Sequence, residues 1–214
     1  MNSSLSTKCP ICSEIRTLKK FGSFELEVCN ICGLHSKPSH QYLGCEAEKK
    51  RYLFHSIHPD LKYEEQMVQF LHSAILPYAK QGEALDYGCG QIRTLEKLLN
   101  KAGFITSGYD RYFCNDSSRL EKKYDVVTAT EVVEHFQDLT LEWETLIGLV
   151  KPGGLLAIST QFIVEDLENW WYLRDSTHYH FYDRKTFEAL GMKYRLEILF
   201  MDSQHIVVFK KGRF

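Results

Sequence analysis

The sequence predicts an α/β fold in which a parallel sheet follows a small cysteine-rich module, and two observations support this. Between Ala84 and Asp110, an apolar segment, a glycine turn, an amphipathic segment and a second apolar segment follow one another. This is the order of strand, turn, helix and strand from which a parallel sheet is built. Earlier in the chain, two Cys-x-x-Cys pairs have the spacing of a metal site. We therefore expect three regions: a cysteine module over residues 1–45, a helical linker over 46–80 and an α/β domain over 81–214.

The composition is that of a globular protein with one full core. The 214 residues are 44% hydrophobic and 25% charged, with a net charge of -2. The overall charge thus gives no basic signature, and any nucleic-acid binding must come from a local patch. No apolar run reaches the length of about 20 residues needed to cross a bilayer, and the N-terminus lacks a basic segment followed by an apolar one. We therefore expect no membrane partner and a cytoplasmic location, in which cysteines stay reduced.

The amino-terminal cysteines predict a structural zinc site. Cys9 and Cys12 form one pair and Cys29 and Cys32 the other, with 16 residues between the pairs. This spacing fits four thiolates around one tetrahedral ion, and the segment between the pairs suits the hairpin of a zinc ribbon. About 40 residues bury too little apolar surface to fold alone, so we expect the metal to stabilise the module. A redox-active dithiol is the alternative interpretation.

The linker carries a basic run and then a helical pattern. The run from Lys49 to Arg51 either contacts RNA phosphates beside aromatic side chains or is the solvated face of a helix. From Asp60 to Pro77, apolar residues recur at helical spacing. The side chains expected on the buried face are Met67, Phe70, Leu71, Ala74 and Ile75.

The elements of the α/β domain follow from apolar periodicity and turn residues. A helix after the glycine turn presents Leu95 and Leu99 inward and ends at Gly103. Pro152 and the two glycines after it are expected to stop a helix and enter a strand. Asp183 is expected to cap a helix that ends at Leu190, with Gly191 as its stop. The expected strands are 84–87, 104–109, one beginning at Tyr124, 155–160, and a final hairpin of 194–201 and 205–210.

The glycine turn indicates a nucleotide-like ligand that is not a dinucleotide. Glycines let backbone N–H groups approach such a ligand, and an acid that ends the next strand, here Asp110, binds a ribose. A dinucleotide fingerprint starting at Gly88 needs Gly or Ala where this chain has Arg93, which argues against NAD and FAD. The Asp-x-Gly-x-Gly pattern of 86–90 instead resembles motif I of class I S-adenosylmethionine (SAM) methyltransferases, with Ile92 in place of a third glycine.

Three further stretches resemble the same family. Tyr124–Thr130 resembles its fourth strand, Glu131–Phe136 the segment after that strand, and Lys151–Ser159 the turn into its fifth strand. Residues 60–214 thus resemble a methyltransferase domain with a Rossmann-like sheet. The resemblance implies SAM as cofactor. The cofactor-binding residues that it implies are Asp86, Gly88, Cys89, Gly90, Asp110, Arg111 and Thr130.

One element of the family's fold is expected to be absent. Only 13 residues separate Asp110 from Tyr124, too few for the helix, strand and helix that the family usually has there. We therefore expect the third strand to be reduced or missing, together with its adenine-binding acid. Asp116 or a backbone group is the candidate replacement.

Four residues are candidates for chemistry at the acceptor. Glu131, Glu134 and His135 lie on one face if their segment is helical. Glu-x-x-Glu-His is similar to metal-dependent methyltransferases, including small-RNA 2′-O-methyltransferases and ubiquinone-pathway O-methyltransferases, and His178 resembles the distal histidine of the RNA enzymes. The resemblance implies either a divalent ion such as Mg²⁺ or, without an ion, a lining of the pocket that supplies a general base.

These features predict a SAM-dependent methyltransferase that acts on oxygen or nitrogen of a small molecule or an RNA. The aromatic segment Trp170–Tyr172 either covers a planar acceptor or caps the sheet. A non-catalytic SAM- or nucleotide-binding module that docks partners through the zinc ribbon is the alternative function. An oxidoreductase is disfavoured by Arg93.

We predict one zinc ion per chain at the four cysteines. Cys29→Ser should lose the ion because it removes one thiolate ligand, while the α/β domain should stay folded if it has a core of its own. Elemental analysis of the purified proteins measures this, and Cys45→Ser, outside the two pairs, should keep its zinc. Wild-type protein without zinc, or Cys29→Ser with its full zinc content, would contradict the prediction.

Overall fold

The computed structural model describes residues 7–55 and 61–213, and of residues 54 and 55 it describes the backbone alone. It contains two sheets and five α-helices in this part of the chain. None of these helices is long and apolar enough to span a membrane. The helices are α1 (Cys45–His55), α2 (Leu61–Phe70), α3 (Thr94–Lys101), α4 (Leu139–Gly148) and α5 (Arg184–Tyr194). The strands are β1 (Arg16–Phe21), β2 (Phe24–Cys29), β3 (His35–Ser36), β4 (Glu83–Tyr87), β5 (Ile105–Tyr109), β6 (Tyr124–Thr130), β7 (Val150–Ser159), β8 (His180–Phe181), β9 (Leu196–Met201) and β10 (Ile206–Lys211).

The large sheet confirms the predicted fold class. Its order is β5-β4-β6-β7-β10-β9. The first four strands pair in parallel, and β10 pairs antiparallel with both β7 and β9. Between β5 and β6 the chain forms only a short 3-10 turn, Ser117–Leu120, and an isolated bridge. The third strand of the family's sheet is therefore missing, as the short spacing predicts.

Both faces of this sheet are covered by apolar side chains. On one face α2, a π-helical turn (Leu71–Ile75) and α3 supply the buried residues, among them all five expected from the linker pattern. Asp60, the expected start of that helix, lies outside the described residues. On the other face α4 and α5 supply Trp143 and Phe187, both fully buried. The sheet is thus the centre of a three-layer α/β arrangement.

The cysteine module shares its sheet and its core with the α/β domain. The β1–β2 hairpin is present as predicted, but β3 pairs with β2 on one side and with β8 on the other. Cys9, Cys29 and Cys32 belong to the same buried cluster as Phe187 of α5. The expectation that the α/β domain has a core separate from the module is therefore not met.

Two expected element ends differ from the structure. Helix α4 already ends at Gly148, and Pro152 lies within β7. The pairing of β7 with β10 begins at Leu155, so the missing N–H of Pro152 removes no hydrogen bond to β10. Helix α5 has Asp183 as its N-cap, as predicted, but runs past Gly191 to Tyr194. At Gly191 a Cβ would lie 3.0 Å from a backbone oxygen of the returning chain, so this glycine permits close packing.

A buried carboxyl group in β4 gives a test of this core. Asp86 is buried, accepts a hydrogen bond from Thr128 Oγ1 on β6 at 2.9 Å, and has its pKa raised by burial from 3.8 to about 7. Because the folded state holds this proton more tightly than the unfolded state, the free energy of unfolding is highest below pH 3.8. It decreases as the pH rises to about 7.

We therefore predict that Asp86→Asn, which cannot ionise, loses less stability across this pH range than the wild type. The difference should amount to a few kcal/mol, since one pKa unit corresponds to about 1.4 kcal/mol. Urea unfolding at several pH values measures it, with Glu144→Gln on the exposed side of α4 as control. A stability difference between Asp86→Asn and wild type that stays constant between these pH values would refute the assignment.

Candidate functional site

A cavity of about 680 Å³ opens at the carboxyl ends of β4, β5 and β6. Its walls are the glycine turn after β4, the loop after β5, the segment after β6, helices α1 and α2, and the segment from Trp171 to His178. Parallel α/β sheets bind ligands at this edge, where the loops leave the strands. The volume lies within the range of small-molecule sites.

The glycine turn leaves room for a ligand. Gly88 and Gly90 have positive φ angles of 77° and 62°, a region that disfavours other residues. A Cβ on Gly88 would overlap Val132, whereas a Cβ on Gly90 would meet no heavy atom within 4 Å. Gly90 lines the cavity, so the space that its missing side chain leaves open belongs to the cavity. Cys89 is buried beside Gly108, consistent with a small filler.

Asp110 joins the turn after β4 to the loop after β5. Its Oδ2 accepts a hydrogen bond from the Gly90 N–H at 3.2 Å, and its Oδ1 accepts from the N–H groups of Tyr112 and Phe113 at 2.8 and 3.0 Å. These bonds fix the carboxylate at the cavity wall, where Arg111 and Thr130 also lie. A carboxylate held in this way can accept further hydrogen bonds from a ribose.

Two other predicted cofactor contacts do not line the cavity. Asp86 lies beneath the turn in β4, as described above, and is absent from the cavity wall. Asp116, the candidate for an adenine contact, is also absent from that wall, and its carboxylate accepts from Ser118 and Arg119. A direct role of either residue at a ligand stays a prediction.

Glu134, His135 and His178 converge beside the cavity, which the two histidines line, whereas Glu134 is fully buried. One ligand atom from each lies within 4.8 Å of those of the other two. His135 Nδ1 donates to the Thr177 carbonyl at 2.7 Å, and His178 Nδ1 donates to the Tyr172 carbonyl at 3.0 Å. Each ring therefore keeps its Nε2 lone pair when neutral. Burial lowers the pKa of His178 to about 4, so this ring is neutral at pH 7.

Glu131 lies beside this cluster because the segment is not an α-helix. Glu131 has a φ of +54°, and only Val133–His135 forms a 3-10 turn. The Tyr172 hydroxyl lies 3.0 Å from Glu131 Oε2 and 2.5 Å from Glu134 Oε1, which links the two carboxyl groups. Burial and the neighbouring Glu134 raise the pKa of Glu131 well above its ordinary value. The structure thus brings three of the four predicted residues together and connects the fourth through Tyr172.

The aromatic residues Trp170–Tyr172 were expected either to cover a planar acceptor or to cap the sheet, and they differ from one another in burial. Tyr172 is fully buried and Trp170 nearly so, in a cluster with Leu26 and Phe181 under the small sheet. Trp171 is 62% exposed and lines the cavity. Of these three aromatic residues, Trp171 is therefore the one with an exposed ring at the cavity.

Helix α1 supplies cavity residues that the sequence analysis missed. Glu48 is buried and accepts hydrogen bonds from the hydroxyls of Tyr112 and Tyr52 at 2.6 and 3.2 Å and from Gln137 Nε2 at 3.3 Å. Tyr52 also packs edge-on against His135, with ring centroids 5.3 Å apart. The i, i+4 spacing of Glu48 and Tyr52, which puts both on one helical face, is a signal for this contact. The neighbouring basic run instead favours a solvent-exposed helix. Lys49 and Lys50 of that run are exposed.

The four cysteines form a separate cluster with the geometry of a metal site. Their Sγ atoms lie within 4.8 Å of one another, with 3.5 Å between Cys9 and Cys32 and 3.4 Å between Cys12 and Cys29. Zn–S bonds of about 2.3 Å place sulfurs about 3.8 Å apart in a tetrahedron, whereas a disulfide needs about 2.05 Å. The four thiols therefore fit a zinc ion and are not disulfide-bonded.

Comparison with known proteins finds relatives among methyltransferases. The chain is 31% identical over 130 residues to ubiquinone biosynthesis O-methyltransferases of Coxiella burnetii strains, and the match covers 50% of this chain and 51% of those proteins. The chain thus spans about half the length of these curated relatives.

Two solved structures show the same fold at low sequence identity. Magnesium protoporphyrin IX methyltransferase of Synechocystis PCC 6803, with bound SAH, has a TM-score of 0.52 and 14% identity, over 78% of this chain and 94% of that chain. An O-methyltransferase family protein of Burkholderia thailandensis has a TM-score of 0.50 and 14% identity, over 70% of this chain and 58% of that chain.

The family assignment follows from the matched region. Residues 60–199 match the family described as a methyltransferase domain, which is more than half of the chain. The match contains the glycine turn, Asp110 and the cluster of Glu134, His135 and His178. The chain therefore belongs to the methyltransferase domain family.

Proposed function

We propose that this protein transfers a methyl group from SAM to an oxygen or nitrogen of a small-molecule acceptor bound in the cavity. The observation that carries the proposal is the presence of two kinds of site on one cavity. The open glycine turn and Asp110 line the cavity, and so do His135 and His178, which converge with the buried Glu134 and form with it what we call the acceptor side. A module that only bound SAM and docked partners would not need the second group.

The residues at the carboxyl edge fit SAM. Gly88, Cys89 and Gly90 would hold the cofactor against the turn, Asp110 would accept its ribose hydroxyls, and Arg111 and Thr130 would flank it. The space over Gly90 supports this, because a side chain there would fill it. When bound, SAM supplies a methyl group already activated by a sulfonium, so the protein's contribution is to position the acceptor and remove its proton.

The residues on the acceptor side favour an acceptor that is a planar molecule with a hydroxyl group. His135 lines the cavity, and its Nε2 is available to accept a proton because its Nδ1 is bonded to the Thr177 carbonyl. The fully buried Glu134 lies behind it in the chain of contacts, with Oε1 3.8 Å from that Nε2, and Trp171 offers an aromatic face at the same cavity. The relatives named as O-methyltransferases of ubiquinone biosynthesis also favour oxygen as the methylated atom. An RNA acceptor is the alternative. The cavity volume of about 680 Å³, to whose wall Glu48 and Tyr52 of α1 contribute, favours a small molecule.

A divalent ion at the acceptor side is a further part of the proposal. Glu134, His135 and His178 would be its ligands, and one carboxylate oxygen of Glu134, Oε2, is buried with no described hydrogen-bond partner. Metal-binding histidines commonly donate their other N–H to a backbone carbonyl, as both do here. Two imidazoles and one carboxylate suit Mn²⁺ or another transition metal better than Mg²⁺, which prefers oxygen ligands.

The cysteine cluster is proposed to hold a structural zinc ion. Its sulfur geometry supports this, and such an ion would contribute stability and no chemistry. All seven cysteines are free of disulfides. This supports a reducing compartment, so we keep the cytoplasm as the proposed location.

We predict that Asp110→Ala weakens binding of S-adenosylhomocysteine (SAH), the demethylated product, by about 1.5–3 kcal/mol. The variant loses a charged acceptor for the ribose and for the Gly90 N–H. Isothermal calorimetry measures the affinity, with Asp166→Ala, an exposed aspartate outside the cavity, as control. Equal affinity of both variants, or tight binding of NAD with none of SAH, would overturn the cofactor assignment.

We also predict that Mn²⁺ binds at Glu134, His135 and His178 in protein whose cysteine site is loaded. Glu134→Gln removes a charged ligand and should weaken Mn²⁺ binding at least about 10-fold. Electron paramagnetic resonance of Mn²⁺ gives the bound fraction, and His72→Ala, at an exposed histidine outside the cavity wall, is the control. If Glu134→Gln binds Mn²⁺ as wild type does, the metal version fails and the general-base version of the same site remains.

A further inference from the structure

The four-cysteine cluster lies two short strands away from the acceptor side of the cavity. Cys29 of the second Cys-x-x-Cys pair ends β2. After Cys32 the chain passes through Gly33 and Leu34 into β3. Strand β3 pairs with β8, in the register His35 with Phe181 and Ser36 with His180. His178 lies only two residues before β8. The path from Cys32 to His178 is therefore short: it runs along the chain to Ser36, across the strand pairing to His180, and back two residues to His178.

The second cysteine pair is fixed to the start of α5. The Thr186 hydroxyl donates a hydrogen bond to the Cys32 carbonyl at 2.8 Å. Gly33, with a φ of +75°, sits so close to Asp183 that a Cβ there would lie 2.6 Å from the Asp183 Cβ. Asp183 lies two residues after β8 and caps α5. The position of this cysteine pair therefore sets the position of the chain that leaves β8.

Hydrogen bonds continue from β3 to Glu134. The Lys37 N–H donates to the Tyr179 carbonyl at 2.8 Å, and the Tyr179 N–H donates to the Glu134 carbonyl at 2.7 Å. Ser36 Oγ and His180 Nδ1 form a further buried bond of 2.9 Å between β3 and β8. The segment from Thr177 to Tyr182 is thus bonded to β3 on one side and to the Glu134 turn on the other.

The same segment also orients the two candidate histidines. The Thr177 carbonyl accepts the N–H of His135, and the Tyr182 hydroxyl donates to the Val133 carbonyl at 2.7 Å. A shift of β3 would therefore move His178 directly and would reorient His135 through its carbonyl partner. The cofactor side shares the apolar core with the cysteines, but its hydrogen bonds come from other segments, since the Gly88 N–H is bonded to Tyr109 and the Gly90 N–H to Asp110.

From these contacts we infer that the ion held by the four cysteines positions the acceptor side of the cavity, and not the cofactor side, through β3 and β8. The inference rests on the ion binding proposed above. The cysteines are positioning residues for Glu134, His135 and His178, and the loading of their site regulates acceptor geometry while SAH binding persists.

The test compares zinc-loaded protein with protein stripped of zinc and with Cys12→Ser, using Cys45→Ser as the matched control. Amide hydrogen exchange by NMR reports on each bond separately. Loss of zinc should speed exchange of the Lys37 and Tyr179 amides about 10-fold or more. Exchange of the Gly88 amide and the affinity for SAH should change less than about twofold. Unchanged exchange at Tyr179 in zinc-free protein would overturn the inference.

A second variant keeps the inference testable if zinc-free protein does not fold. Ser36→Ala removes the side-chain bond between β3 and β8 and leaves all four thiols in place. It should retain one zinc ion and normal SAH affinity while the Tyr179 amide exchanges several-fold faster. If Gly88 and Tyr179 exchange faster by the same factor, the effect is general destabilisation and the positioning role is wrong. Wild-type protein that fails to bind SAH contradicts the proposed function and leaves this exchange measurement valid.

Discussion

The parallel pairing of β4 with β5 and β6 is the constraint on which the rest of the site depends. Its register places Tyr87 opposite both Tyr109 and Ala129. All three strands therefore end at the same edge of the sheet. The chain leaves that edge three times, at the glycine turn, at Asp110 and at Glu131, and the side chains and amides of these exits form one cavity. Slipping one strand by a residue would turn every side chain on it to the opposite face.

The acceptor side depends on a second set of pairings that the large sheet does not provide. Glu134 and His135 come from the exit of β6, but the segment that carries His178 is placed by the small sheet and by backbone bonds to Glu134. Polar groups on this side are buried and joined to one another, as in the Tyr172 hydroxyl between two carboxyl groups. Buried groups of this kind destabilise the fold unless their partners are fixed. The two sheets together supply that fixation.

Much of the cofactor side could be predicted from the sequence because its signals are local. Gly88, Gly90 and Asp110 stand at fixed distances around a strand and a turn, and the spacing of the cysteine pairs is equally local. The missing third strand followed from a residue count between Asp110 and Tyr124. Each of these inferences needs only the chain's order and its reach.

The parts that sequence analysis missed depend on contacts between distant residues. Strands β3 and β8 have two residues each, too few to show an alternating pattern, and lie 144 positions apart, as the bond between Ser36 and His180 illustrates. Glu131 was expected on a helical face, but its left-handed backbone turns it toward Tyr172. Gly191 predicts a helix end because glycine is common there, whereas its close approach to the returning chain has no local signature. Glu48 is buried only because Tyr112 and Gln137 meet it from other segments.

We propose that one cavity holds SAM at the carboxyl edge with its reactive end toward the acceptor residues. A crystal structure of the protein with SAH would show the orientation of the bound molecule. We expect the ribose hydroxyls to bond the Asp110 carboxylate, the chain of the amino-acid end to cross the space over Gly90, and the sulfur to face Glu134, His135 and His178. SAH bound elsewhere, or bound at this edge with its sulfur turned away from those three residues, would contradict it.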